Sequence, residues 1–170
     1  MTAPAAHDDA PVFTGKTQER LEEILTRYPT RQAALLPALW LVQEARGWIS
    51  DRHMSEVAEL LGLTPAYVKG VVTFYTMYHQ HPVGRNFVQV CTTSPCHLCG
   101  AAEVQASLLK QTGCGELGTT SPDGRFTVIE VECLGACGSS PTLQVNDSYH
   151  INMTDEEVDK IISKMRGNSH

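Results

Sequence analysis

Apolar residues recur at helical spacing through the first half of the chain and at strand spacing through much of the second. Leu21, Ile24, Leu25 and Tyr28 fall at i, i+3, i+4 and i+7, the pattern of one buried helical face, and Pro29 breaks the segment. The run AALLPALWLVQEARG from Ala33 predicts a second helix ending near Gly47, with Pro37 either near its start or at a kink. Met54, Val57, Ala58 and Leu61 repeat the spacing up to Gly62. Thr64-Pro65 then supplies a cap and a first-turn proline for a fourth helix through Val68, Val71, Val72 and Tyr75. Four helices are expected over residues 16 to about 78.

After the turn-like HQHPVGR the period becomes that of a strand, from Asn86 to Val90, and its end delivers Cys91. A helix is expected from His97 to about Lys110, then a glycine-rich loop and a strand from Arg125 to Val131 that delivers Cys133. Strand, helix, strand suggests a parallel pair. Thr142 to Val145 and Tyr149 to Ile151 flank an Asn-Asp-Ser turn and read as a hairpin. A last helix opens with Thr154 and Glu157 in capping-box relation and buries Val158, Ile161, Ile162 and Met165. The fold class is therefore α+β (α/β). Residues 1–15, rich in Ala, Pro and Asp, read as a flexible tail, residues 16–80 as a helical domain and residues 85–166 as a second domain with a sheet.

Composition narrows the function classes. The formal charge of -6 comes from 13 basic and 19 acidic side chains, with no dense Lys/Arg run, which speaks against nucleic acid as a partner. No apolar stretch approaches the roughly 18 to 20 residues of a membrane span, so no direct membrane insertion is expected. The opening MTAPAAHDDAPVF lacks a signal peptide's apolar region and a transit peptide's arginines, so the chain is expected to stay in the compartment where it is made. Six cysteines then read as metal ligands or redox thiols, because a reducing compartment keeps a disulfide framework from forming.

The stretch VQVCTTSPCHLCG, residues 88–100, admits three readings together with CLGAC at 133–137. Cys96 and Cys99 form a C-x-x-C after a strand, where a helix start lowers a thiol pKa, as in thiol-disulfide exchangers. Cys96, Cys99, Cys133 and Cys137 give the two knuckles of a structural zinc site, leaving Cys91 over. Cys91-x4-Cys96 and Cys133-x3-Cys137 give the two thiolate pairs that a 2Fe-2S cluster needs, each following a strand end, so that adjacent parallel strands can bring their loops around one small core. Gly135, Gly138 and the Gly100 region suit loops whose backbone N–H groups approach sulfur. A plant-type variant, C-x4-C-x2-C, would recruit Cys99 and idle one of the later pair.

CTTSPC, then thirty-six residues, then CLGAC within VIEVECLGACGSSPTLQVND resembles the thioredoxin-like 2Fe-2S ferredoxins that form one subunit family of NADH-quinone oxidoreductase (complex I). ALLPALWLVQEARGWIS and LGLTPAYVKGVVTFYTMYHQHPVGR resemble the helical region that precedes the cluster domain there. The resemblance covers residues 17 to 165 and implies a thioredoxin-like domain with a mixed four-stranded sheet and flanking helices. It implies one 2Fe-2S cluster on Cys91, Cys96, Cys133 and Cys137, and leaves Cys99 and Cys114 without a family role. It also implies an FMN- and NADH-binding partner subunit, further iron-sulfur subunits leading to quinone, and a place in the peripheral arm on the cytoplasmic face of the bacterial inner membrane. Similar chains serve NAD-dependent formate dehydrogenases and hydrogenases.

The remaining candidates read as structure. His79 and His81 could replace thiolates as in Rieske centres, but solvent-facing loop histidines are the simpler expectation. Trp40, Trp48, Phe74, Tyr75 and Tyr78 read as core and interface, and the carboxylates Glu22-Glu23, Glu130/Glu132 and Asp155 to Glu157 are too scattered for a general acid-base pair. Pro141 is left as a turn proline. Gly15-Lys16-Thr17 imitates the close of a phosphate loop without its leading glycine, and no dinucleotide fingerprint exists, so a partner must take the hydride from NADH. Four amphipathic helices ahead of the cluster domain offer apolar area for docking that partner.

Overall fold

Each of the four expected N-terminal helices forms, and each ends for a local reason. In the computed structural model, which describes residues 10–167, α1 spans Lys16–Arg27. Pro29 holds Tyr28 in an extended conformation, because a residue before proline is pushed out of the helical region. A 3-10 turn at Gln32–Ala34 leads into α2, Leu35–Arg46, which places Pro37 in the first turn, where the missing N–H has no intrahelical acceptor to lose. Gly47 closes α2 in the left-handed region, a conformation that costs a side-chain-bearing residue far more. Ser50 caps α3, Asp51–Leu61, by accepting from the His53 backbone, while His53 Nδ1 accepts from the Ser50 N–H, a capping box with histidine where glutamate usually stands. Thr64 caps α4, Pro65–Phe74.

These helices share a core of Leu21, Leu39, Val42, Ile49, Val57, Val68 and Val72. Residues 1–9 of the expected tail lie outside the described residues. Residues 10–15 correct that expectation. Val12 and Phe13 are buried in the helical core, and both of their backbone N–H groups donate to the Glu56 carboxylate, at 2.9 and 3.1 Å. Arg46 donates to the carbonyls of Ala10 and Pro11. Two apolar side chains and a paired backbone outweigh the polar composition around them.

The described residues divide into two compact units with the boundary between Pro82 and Val83. In the second unit β1 is Asn86–Cys91, β2 is Phe126–Val131, β3 is Leu143–Val145 and β4 is Ser148–His150, in the order β2-β1-β3-β4. β1 and β2 are parallel, in a register that sets Cys91 opposite Val131, and the other two pairings are antiparallel, so the sheet is mixed. The hairpin turn is Asn146-Asp147, with Asn146 at a φ of 50°, a region asparagine tolerates.

The expected helix at 97–110 is two helices. α5, Ser94–Leu98, and α6, Ala101–Thr112, are separated at Cys99-Gly100, where Gly100 has a φ of 100°. A single helix cannot pass through that conformation, so the chain turns there. α7, Asp155–Gly167, closes the described chain, with Thr154 accepting from the Glu157 N–H. Val88, Val90, Phe126, Val128, Leu143 and Val145 pack as one cluster with Val104 and Leu108 of α6 and Val158 and Ile162 of α7. By strand alternation Cys91 therefore points to the opposite face of the sheet from Val90. Ser140-Pro141 is a cis peptide bond. Among the described residues no single helix is long and apolar enough to cross a membrane; α3 and α4 pass that test only as a pair, bent by 119°.

Candidate functional site

The parallel register brings β1 and β2 to an end side by side, and strands so paired lie about 4.8 Å apart. The end of β1 and the two segments that follow the strands carry five of the six cysteines. Cys91 is the last residue of β1, Cys96 the third residue of α5, and both are buried, packed with Ala101 and against Leu134. Cys133 and Cys137 lie on the loop after β2 and are exposed.

Contacts stitch the two loops together. The Cys91 thiol reaches the Glu132 carbonyl at 3.9 Å, and the Thr92 N–H donates to the Val131 carbonyl at 3.2 Å. Burial alone would raise the Cys91 pKa, but hydrogen bonds led by those from the Leu134 and Thr93 backbone outweigh it and hold that pKa below the usual thiol value. The Gly135 N–H donates to Cys133 Sγ at 3.3 Å, with Gly135 in the left-handed region at a φ of 72°. A side chain there would meet open space, so the glycine answers to backbone conformation alone. Gly138 has neither a positive φ nor a close neighbour, and nothing in the structure requires a glycine at that position.

Two residues that sequence patterns did not single out belong to this site. Ser140 Oγ lies 3.4 Å from Cys96 Sγ and donates to the Cys137 carbonyl at 3.0 Å. Tyr149 Oη donates to the Leu134 carbonyl at 3.0 Å, pinning the residue whose N–H meets Cys91. Ser140 adjoins the CLGAC motif and was within reach of a sequence argument. Tyr149 was not, since its partner is fifteen residues away across a hairpin.

The early pair is brought together and the late pair lies on the loop that contacts it, but among the described residues no three His, Cys, Asp or Glu side chains converge on one metal-ion position. Two pairs on adjoining loops suit a binuclear group, since each metal ion needs two protein thiolates. Backbone N–H groups already aimed at sulfur add the donors that such a group needs. The donor set therefore fits a 2Fe-2S group. Cys99 sits exposed in the break between α5 and α6, and Cys114 is buried with its sulfur 3.6 Å from the Phe126 carbonyl, inside the main sheet core. The histidines expected to face solvent divide: His81 is exposed, whereas His79 is half-buried, its pKa lowered by burial and its backbone N–H donating to Gln43 Oε1.

Known proteins resemble the chain over nearly its whole length. The family model of the thioredoxin-like [2Fe-2S] ferredoxin matches residues 21–166. The chain is 40% identical over 159 residues to the mitochondrial NADH dehydrogenase [ubiquinone] flavoprotein 2 of Dictyostelium discoideum, covering 92% of this chain and 64% of that protein's length. It is 43% identical over 141 residues to NADH-quinone oxidoreductase subunit 2 of Thermus thermophilus, covering 82% of this chain and 77% of that one. Among solved structures, an NAD+-reducing [NiFe]-hydrogenase matches with a TM-score of 0.69 at 21% identity, over 81% of this chain and 23% of that one, a likeness of fold.

Proposed function

Since the chain belongs to the thioredoxin-like [2Fe-2S] ferredoxin family, we propose that it is the subunit of a respiratory NADH-quinone oxidoreductase that accepts single electrons from the FMN of a partner NADH-oxidising subunit. Cys91, Cys96, Cys133 and Cys137 are the proposed ligands of its one 2Fe-2S cluster. FMN and NADH reside on the partner, other iron-sulfur subunits carry electrons towards quinone, and the assembly stands as a peripheral arm on the cytoplasmic face of a bacterial inner membrane. The observation that carries the ligand assignment is the pairing of two strand-end loops, with Cys91 and Cys96 buried together and Cys133 and Cys137 on the loop that meets them.

The cluster, when bound, takes up and releases one electron at a time. The chain's own residues prepare for that exchange. Burial of Cys91 and Cys96 keeps water from their sulfurs, and the N–H groups of Leu134, Thr93 and Gly135 supply fixed donors in its place. The exposed pair, Cys133 and Cys137, leaves one edge of the site open to a partner's redox group. The equivalent subunit of an NAD-linked formate dehydrogenase or hydrogenase is the second reading, favoured by the fold likeness to the hydrogenase. Identities of 40% and 43% to NADH dehydrogenase subunits carry the first.

Visible absorbance and reduced-state electron paramagnetic resonance of the anaerobically purified chain test the assignment. A binuclear iron signal is expected, surviving Cys99→Ser and lost or altered in Cys137→Ser. A colourless, zinc-containing protein would overturn the reading, and loss of the signal in Cys99→Ser would move a ligand.

A further inference from the structure

Ser140 joins the two halves of the site through one oxygen. Its hydroxyl donates to the Cys137 carbonyl at 3.0 Å on the late loop, while the same oxygen lies 3.4 Å from Cys96 Sγ on the early one. Cys96 is 2% exposed, so solvent offers its sulfur almost nothing. A serine hydroxyl has one proton to give and two lone pairs to offer. In the free thiol the S–H of Cys96 donates to Ser140, and the serine proton goes to Cys137.

Iron ligation removes the thiol proton and leaves a sulfur that can only accept. The contact then remains attractive only if Ser140 turns its own proton from the Cys137 carbonyl to Cys96, a rotation about Cβ–Oγ that moves no heavy atom. Hydrogen bonds to cluster sulfurs favour the reduced state, because they stabilise the added negative charge. We infer that Ser140 is a positioning residue that acts through Cys96, its hydroxyl donating to the ligated sulfur and raising the reduction potential of the cluster. The inference rests on the cluster assignment above.

The test is a potentiometric titration of the full-length, cluster-loaded chain, read by electron paramagnetic resonance, for wild type, Ser140→Ala and Ser140→Thr. Ser140→Ala is expected to shift the midpoint to a more negative value, corresponding to a change of up to about tenfold in the reduced-to-oxidised ratio, 59 mV for a one-electron couple. Ser140→Thr keeps a hydroxyl and is expected to hold the wild-type midpoint. An unchanged midpoint in Ser140→Ala with the signal intact overturns the role of Ser140 and leaves the cluster assignment standing, whereas wild-type protein without a binuclear signal sinks that assignment itself. Should Ser140→Ala fold by circular dichroism yet bind no iron, loading of Ser140→Thr supports the hydroxyl's role. Failure of both variants to load overturns it, because the site would then depend on side-chain size.

Discussion

Tyr78 shows how a single polar atom governs a buried ring. Its side chain is 3% exposed in the helical core, and its hydroxyl donates to the Leu36 carbonyl at 2.9 Å. Burial, reinforced by Tyr75, pushes its pKa from 10.0 up to about 12. The unfolded chain releases this proton near 10 and the folded chain near 12, so the corresponding stability is fully present below 10 and is lost as pH rises through about 12. Tyr78→Phe is expected to cost about 0.5–1.5 kcal/mol at neutral pH, the worth of one hydrogen bond, and to flatten the alkaline decline. Urea unfolding of both proteins at neutral pH and near pH 12 checks this, and a decline of equal steepness in the two would contradict it. The same residue marks a limit of sequence reading. The sequence reads both Tyr78 and Phe74 as core or interface without dividing them, and the fold buries Tyr78 while leaving Phe74 76% exposed, because spacing does not say which face meets the neighbouring helices.

Gly84 sets how closely the chain entering β1 can approach β2. A Cβ on Gly84 would lie 2.6 Å from the Phe126 carbonyl carbon and 2.7 Å from its nitrogen, backbone atoms held in the parallel ladder. The Gly84 N–H also donates to Thr127 Oγ1 at 2.7 Å, fixing that approach. Gly84→Ala is expected to destabilise the sheet unit by about 1–3 kcal/mol, as overpacking does, whereas Gly138→Ala meets open space and is expected to be close to neutral. Thermal unfolding of the two variants reads the difference, and equal midpoints would remove the argument. At this scale helices and strands followed from periodicity to within a few residues at their ends, apart from the break at Cys99-Gly100. That break was hidden because Leu98, Ala101 and Ala102 keep an apolar pattern through a glycine whose φ only the folded chain reveals.

Across the whole molecule, each unit has a hydrophobic core of its own, one from Val12 to Tyr78 and one from Val88 to Ile162. Deleting residues 16–78 is therefore expected to leave the sheet unit folded with its iron while releasing the proposed flavin-bearing partner. Co-purification of that partner at full stoichiometry would show that the helices are not its dock. The order of helices and strands, the cysteine pairs at two strand ends and the glycine and proline stops were legible in the sequence alone, because spacing, caps and backbone restriction act over a few residues. Burial of Val12 and Phe13 under Glu56, the opposite exposures of the two cysteine pairs, the contact of Ser140 with Cys96 across the site and that of Tyr149 with Leu134 were not. Those contacts join residues 15 to 44 positions apart, and only the folded chain, by excluding water and fixing register, decides which distant groups share an environment.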